Sequence, residues 1–329
     1  MKNVLLIAGL RERYYFEPFV NACKGKRVNL YICDPSRFPN EATLCVTQDR
    51  MGRISGFIEV VQLLNNMFAE TRINLSEIDT AWHLRESRPL GGTSLDLETR
   101  FAANETRQAF RAIFSLLECR WVNSSDAIDR VNSNKLYQQA VAARCGLSIP
   151  TTIISNDPAG VVEFASPTQG LLAKTMGYIR LDDAGLCSIY SERFSCEELA
   201  GSSDAIRACP IYGQTYIEKR YEHRVMVIGK HVLSCQINSQ ASEATKTDWR
   251  HYDFENVEHK QVDLPSATRT KLLRFMEGVD LRYGAIDLIE TPDGEFVFLE
   301  VNPSGQWGWI ADLGGLPIPE AVADMLETM

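Results

Sequence analysis

The chain begins with a short apolar run, Val4-Leu-Leu-Ile-Ala8, that ends at Gly9 and gives way at once to Arg11, Glu12 and Arg13. A second run, Val28 to Asp34, follows a stretch with helical spacing from Phe16 to Lys24. Two short apolar runs joined by a helix predict parallel strands in a βαβ opening. The Gly9 turn lacks a full G-x-G-x-x-G, so it carries little dinucleotide signal. Ala42 to Val46 and Ile54 to Val60 alternate as strands do, and Thr80 to Leu84 predicts another. A long helix is expected from about Asp96, with Phe110, Ile113, Phe114 and Leu117 on its buried stripe. Ser133 is placed to cap a helix that runs to Cys145 and stops at Gly146. Thr151 to Ser155 reads as a strand, and Asn156-Asp-Pro158 starts a short helix by a cap followed by proline. Further strands are expected at Leu171 to Thr175 and Ile211 to Glu218, and Arg224 to Ile228 should pair with His231 to Ile237 through Gly229-Lys230. Thr245 to His259 is polar, charged and aromatic, which predicts a mobile loop over a site. A helix from Ser266 to Val279 leads into the last hairpin.

That hairpin, Gly284 to Asn302, places acidic residues inside otherwise apolar strands. Asp293-Gly294 favours a two-residue loop of the primed type. Pro292 would then face Glu295, Asp287 would face Glu300, and Asn302, two residues beyond Glu300 on the same face, would lie opposite Ala285. In this register Phe296 and Phe298 share the face of Glu300, while Val297, Leu299 and Val301 occupy the other. A buried, unpaired carboxylate is costly. Two carboxylates and an amide oxygen with no Cys or His nearby are hard ligands suited to Mg²⁺. A one-residue slip would send Asp287 to the wrong face.

Composition narrows the class. A chain of 329 residues that is 45% hydrophobic can bury a large core in two or three domains. Its net charge of −9 provides no overall positive field for nucleic acid or an anionic membrane, so bound phosphate must meet local cations or a metal. Nine cysteines without a C-x-x-C fit reduced thiols in the cytosol, and five histidines without an H-x-x-x-H spacing disfavour a zinc hydrolase. The N-terminal run is too short for a membrane span and reads as a strand, not a signal peptide.

Lys174 is a single charge in the apolar Leu171-Leu-Ala-Lys-Thr175, and Lys135 lies just inside a helix start. Arg224 opens an apolar strand after the charged run Glu218 to Glu222. The order Lys135, Lys174, a segment from Gln214 to Glu218, Arg224, then Asp287 with Glu300 and Asn302, resembles the ATP-grasp superfamily over roughly the last two thirds of the chain. The resemblance implies an ATP-grasp fold of mixed α/β and α+β class: a βαβ-type pre-grasp domain over 1–125, a small middle domain over 126–218, and a C-terminal domain over 219–329 carrying the Mg²⁺-binding hairpin. It implies that Lys135 and Lys174 meet nucleotide phosphates, that the hinge gives backbone hydrogen bonds to adenine, with Gln214, Tyr216, Ile217 and Glu222 on the nucleotide, and that Asp287, Glu300 and Asn302 hold two Mg²⁺ ions. Arg224 would neutralise a transferring phosphoryl group or the acyl phosphate.

Asn134-Lys135, Gly146-Leu-Ser-Ile-Pro-Thr151, Ile237-Asn-Ser-Gln240, Asp248-Trp-Arg250, Trp82-His-Leu-Arg85 and Leu299-Glu-Val-Asn-Pro-Ser-Gly-Gln-Trp307 are similar to the branch that matures graspetides, the microviridin-type peptide ligases. That branch phosphorylates a side-chain carboxylate of a ribosomal precursor peptide and lets a Ser/Thr hydroxyl or Lys amine attack it, giving a macrocyclic ester or amide. Asp248 and Arg250 would then hold the core peptide, since a guanidinium grips a carboxylate with two prongs. Trp307 and Trp309 either close the acceptor side or fill core. Only Gly177 stands where many ATP-grasp enzymes have a glycine-rich lid. Ile179 to Tyr190 instead reads as a hairpin turning at Asp182-Asp-Ala-Gly185, and Tyr178 to Arg193 would help dock a leader helix, with Asp182 and Asp183 facing a basic residue. The alternative is a RimK-like ligase that adds an amino acid to a peptide or protein terminus. A two-fold dimer is the default assembly.

Overall fold

The computed structural model describes residues 1–11, 16–64, 67–85, 96–132, 134–176, 190–251 and 253–329. The chain runs through β1 (Lys2–Ala8), α1 (Glu17–Ala22), β2 (Val28–Cys33), β3 (Leu44–Gln48), β4 (Ile54–Leu64), β5 (Met67–Asn74), β6 (Thr80–Arg85), α2 (Leu97–Ser115) and β7 (Arg120–Trp121). These strands form one sheet in the order β3-β4-β2-β1-β6-β7, with β5 paired to β4. β1 is parallel to β2 and to β6, as the βαβ reading requires. Both faces of β1 are covered, which is why its sequence is a continuous apolar run. Leu5 and Ile7 pack with Phe110, Ile113 and Phe114 of α2, while Val4, Leu6 and Ala8 pack with Phe19 and Trp82. Asp96 caps α2, its carboxylate accepting from Thr99 N at 2.8 Å. β5 was not expected; it continues the β4 ribbon.

α3 (Ser125–Val131) and α4 (Lys135–Arg144) follow. Asn134 caps α4, accepting from Tyr137 N at 3.3 Å, and the expected cap Ser133 lies outside the described residues. Next come β8 (Thr152–Ser155), α5 (Pro158–Ala165), β9 (Leu171–Lys174), β10 (Glu192–Phe194), α6 (Cys196–Gly201), α7 (Ser203–Ala208) and β11 (Ile211–Gln214). The second sheet runs β10-β9-β11-β8, antiparallel throughout, over a small core of Val161, Ala165, Leu171, Leu199 and Ile206. β11 ends at Gln214 instead of reaching Glu218, because Thr215 makes the last bond to the neighbouring strand, to Thr151 O at 3.0 Å, and the chain then leaves the sheet.

The third sheet holds β12 (Tyr221–Ile228), β13 (His231–Ile237), β14 (His259–Val262), β15 (Tyr283–Glu290) and β16 (Phe296–Asn302), in the order β14-β13-β12-β15-β16. Ile228 faces His231, so Gly229-Lys230 is the two-residue loop expected. α8 (Ser266–Gly278) covers one face: Leu272, Phe275 and Met276 pack with Val225, Val227, Ile286 and Leu288. Ala127, Val131, Val141 and Ala142 of α3 and α4 join the same core. α9 (Gly308–Gly314) and α10 (Ile318–Thr328) cover the other face, where Met226, Ile228 and Tyr283 meet Trp82 of the first sheet. No described helix is long and apolar enough to cross a membrane.

The segment 245–259, expected to be a loop over a site, borders one: Thr247, Asp248, Trp249 and Arg250 line a cavity, with Thr245 and Asp248 buried, Phe254 to Asn256 exposed and His259 already in β14. Thr245 Oγ1 donates to Ser239 O at 2.7 Å, which folds the segment back on itself. The lid glycine Gly177, the hairpin turn at 182–185 and most of the leader-docking stretch lie outside the described residues.

Trp82 joins the first sheet to the third, its ring 5.6 Å from Phe19 and 5.1 Å from Tyr283. Trp82→Ala is expected to cost about 3–5 kcal/mol, read by urea unfolding of the full chain. A loss below about 1 kcal/mol would show that the two sheets do not depend on this contact.

Candidate functional site

One cavity opens between the second and third sheets, lined by residues from both. The hairpin positions its acidic wall. Thr291 N donates to Glu295 O and Gly294 N to Thr291 O, both at 2.9 Å, with Gly294 at φ +85°. The loop is therefore three residues, Pro292 to Gly294, one longer than expected, and pairs Glu290 with Phe296 and Leu288 with Phe298. A bulge at Leu299 then shifts the register back, so that Asp287 faces Glu300 and Ala285 faces Asn302. The expected carboxylate pair forms, but the faces differ. Phe296 and Phe298 turn toward the α8 core with Val301, and Leu299 joins Glu300 in lining the cavity. A bulge adds one residue to one strand, so alternation across it inverts.

Each carboxylate has a cation. Arg224, next door on β12, donates Nη1 to Asp287 Oδ1 at 2.9 Å and Oδ2 at 3.1 Å. Lys135, at the start of α4, reaches Glu300 Oε2 at 2.8 Å. Burial raises the Asp287 carboxyl, with Glu300 adding to the rise and Arg224 opposing it. Burial also works against ionised Glu300, but Lys135, joined by Lys174 and Arg250, holds that group below its ordinary value. Arg224 Nε is buried without a hydrogen-bond partner among the described residues. The donor set of hard oxygens suits Mg²⁺, and the orphaned guanidinium N–H suits an anion beside it. Asn302 stands apart from the cavity lining, its Oδ1 accepting from Ser304 N at 3.0 Å.

Lys174, on β9, lines the opposite wall. Burial and the charge of Lys135 push its ammonium down to about 8. Gln214, Tyr216, Ile217 and Glu222 all line the cavity. Gln214 is fixed by its Nε2, which donates to Thr152 Oγ1 at 3.1 Å and Tyr212 Oη at 3.0 Å. Asp248 and Arg250 are also in the lining. Asp248 accepts from Ser191 N and Arg250 N, both at 3.1 Å, and from Arg250 Nε at 2.8 Å, with a further bond to Arg250 Nη2. Burial opposes its charge, but Arg250 and these backbone donors hold Asp248 well below the usual carboxylate range. Asp248 therefore fixes Arg250, whose side chain, 39% exposed, is the one of the pair presented outward.

Sequence reasoning gave no role to Lys219 and, beyond its place in the Asp248-Trp-Arg250 motif, none to Trp249. Lys219 donates to Glu222 at 2.9 Å and to Thr247 O at 3.0 Å, and its side chain is only 3% exposed. It lies in a charged run that reads as solvated, and spacing gives no sign that it turns inward. Trp249 lines the cavity and stacks on Trp309 with ring centroids 4.8 Å apart. Trp307 is core, packed under Tyr283 and Ile310.

The overall arrangement matches solved structures over nearly the whole chain. A Chryseobacterium gregarium RiPP-associated ATP-grasp ligase, solved with ADP and a leader and core peptide, has a TM-score of 0.86 at 24% identity, covering 99% of this chain and 96% of that one. Macrocyclase MdnC from Microcystis aeruginosa, bound with precursor peptide MdnA, gives 0.80 at 25% identity over 99% and 100% of the two chains. Macrocyclase MdnB from the same organism gives 0.75 at 27% identity over 99% of each. The fold is that of the ATP-grasp ligases. No family model matches the chain, and no curated protein does.

Within this fold the glycine of Gly305-Gln-Trp307 has a steric reason. A Cβ on Gly305 would lie 2.3 Å from Ala285 Cβ and 2.9 Å from Arg224 Nη2. Gly305→Ala is expected to cost about 1–3 kcal/mol in urea unfolding. Adding Ala285→Gly should recover part of that loss; no recovery would place the strain elsewhere.

Proposed function

We propose that this chain is an ADP-forming ligase that activates a side-chain carboxylate of a ribosomal precursor peptide as an acyl phosphate and closes it on a Ser/Thr hydroxyl or Lys amine of the same peptide. The convergence of Lys135, Lys174, Asp248, Arg250, Asp287 and Glu300 on one cavity carries this reading. The likeness to macrocyclases, one of them bound to a precursor peptide, supports the substrate class.

In the first step a carboxylate oxygen bonds to the γ-phosphorus of ATP while the bond to the bridging oxygen breaks and ADP departs. The hydroxyl or amine then attacks the acyl carbon, loses a proton and expels phosphate. No protein nucleophile is required, so the chain's task is alignment and charge neutralisation. Lys135 and Lys174 meet the phosphates, Gln214, Tyr216, Ile217 and Glu222 hold the nucleoside end, and Arg224 faces the transferring group. Arg250 grips the peptide carboxylate, held in place by Asp248. Asp287, Glu300 and Asn302 would hold two Mg²⁺ ions, which would supply positive charge to the phosphoryl group in flight. Charge balance supports that count. Lys135, Lys174, Lys219 and Arg250 of the lining, with Arg224 outside it but paired to Asp287, stand against Glu222, Asp248, Asp287 and Glu300, a formal excess of five minus four, or +1. ATP and a carboxylate bring about five negative charges, a deficit that two divalent ions close.

A domain division at 1–125, 126–218 and 219–329, a leader segment on the peptide, a two-fold dimer and a cytosolic setting complete the reading. ATP use favours the last, and the eight cysteines among the described residues are all free thiols.

Co-production with a candidate precursor should give a peptide lighter by one water per ring. A product gaining an amino acid would replace this reading with terminal ligation. Asp287→Ala or Glu300→Ala should lower peptide-dependent ADP release by about 100-fold or more while the protein stays folded, and full activity would remove the metal assignment. Lys174 supplies a pH signature. Phosphate favours its charged form, so above pH 8 or so nucleotide binding must take up a proton and affinity should fall as pH rises. Calorimetry in buffers of different ionisation heat reads that uptake, and Lys174→Met should abolish it.

A further inference from the structure

β16 is the outer strand of its sheet, so half of its backbone N–H and C=O groups point away from β15. Two groups close that edge, one on each side of the bulge at Leu299. Before the bulge, Ser148 forms an isolated parallel bridge with Val297, and its carbonyl accepts from Phe298 N at 2.8 Å. After the bulge, Gln138 of α4 takes the place of a neighbouring strand. Its Oε1 accepts from Val301 N at 2.7 Å and its Nε2 donates to Val301 O at 3.2 Å. The same Nε2 donates to Val131 O at 3.0 Å, so the carboxamide is held from behind, and the residue is only 3% exposed.

Val301 is the residue between Glu300 and Asn302. We infer that Gln138 is a positioning residue for the cation-binding strand: by standing in for the missing strand at Val301 it fixes the backbone from which Glu300 and Asn302 project. The inference rests on the cation-site reading proposed above. A bulge removes regular pairing where these side chains must be aimed, so a second restraint on the outer edge is what the geometry demands. Lys135, three residues earlier on the same helix face, reaches the Glu300 carboxylate at 2.8 Å. α4 thus grips the same short segment twice, by charge at the Glu300 side chain and by paired hydrogen bonds at the Val301 backbone. Groups that orient a metal ligand without touching the metal typically govern its affinity as well as its placement.

Two variants of the full chain separate this role from simple stability. Gln138→Met keeps the length of the side chain and removes the amide, while Gln138→Glu keeps an acceptor for Val301 N and loses the donor to Val301 O. Hydrogen exchange at the Val301 amide reports the clasp directly, and ADP affinity with and without Mn²⁺ reports the cation site without turnover. The expected result is faster Val301 exchange in Gln138→Met, ADP affinity unchanged without the cation, and the Mn²⁺-dependent gain in ADP affinity reduced ~10-fold. Gln138→Glu should fall between this variant and the parent, and it decides the question by the same comparison if Gln138→Met does not fold. A folded variant with fast Val301 exchange and the full Mn²⁺-dependent gain overturns the positioning role. A parent protein whose ADP affinity does not respond to Mn²⁺ overturns the cation-site reading itself, and that failure is recognised before any variant is compared.

Discussion

Asp287 and Glu300 stand opposite each other on β15 and β16, where like charges repel across the strands and burial penalises both. Such a pair persists only with cations supplied around it, and the surrounding structure is arranged to supply them. Arg224 comes from β12 on one side and Lys135 from α4 on the other. The demand propagates outward. A Cβ at residue 305 would crowd the Arg224 guanidinium as well as Ala285, and the Gly305 carbonyl is held in turn by Tyr283 Oη at 2.7 Å. Tyr283 packs against Trp82, so the position of one guanidinium is tied to the interface between the first and third sheets.

The second half of the site is joined to the first by contacts of a different kind. Ser191, just before β10, donates its backbone N–H to Asp248, and Lys219 links Glu222 to the carbonyl of Thr247, immediately before Asp248-Trp-Arg250. The start of β12 and the segment that carries Arg250 therefore share one buried lysine. A buried ion pair is poor evidence of stability, and here its geometry fits registration of two loops.

Much of the fold was legible because it rests on period and punctuation. The apolar runs of β1 and β2, the Asp96 cap, the Gly229-Lys230 loop and the Asp157-Pro158 helix start are local signals, and the structure uses each of them. The hairpin shows where such reasoning reaches its limit. The expected Asp287–Glu300 pairing formed through two compensating departures, a turn one residue longer and a bulge that restored the count. The facing of Phe296 and Phe298 depended on the stretch between those departures, and it inverted. Nothing in the residues marks Leu299 as a bulge, because the cause is tertiary: Ser148 and Gln138 clasp the strand at two points whose spacing the regular pleat does not match. Lys219 was hidden for a related reason. Alternation describes a strand, and Lys219 lies before Tyr221, where β12 begins.

The two walls of the cavity differ in how firmly they are built. The third sheet is packed on both faces, by α8, α3 and α4 on one side and by α9, α10 and the first sheet on the other, so its carboxylates project from a doubly supported backbone. The second sheet has a small core of its own and meets the rest through polar links, such as Thr152 Oγ1 donating to Gln139 Oε1 at 3.0 Å and the Ser191 bond to Asp248. Close-packed apolar contacts hold geometry to within a methylene, whereas single exposed or half-buried hydrogen bonds contribute only about 1 kcal/mol each. The division suits phosphoryl transfer. On the reading proposed above, Asp287, Glu300, Arg224 and Lys135 belong to the closely packed wall, where charge must be held in register, and Lys174 and Gln214 to the wall joined by weaker polar contacts, the one better able to adjust to what enters the cavity.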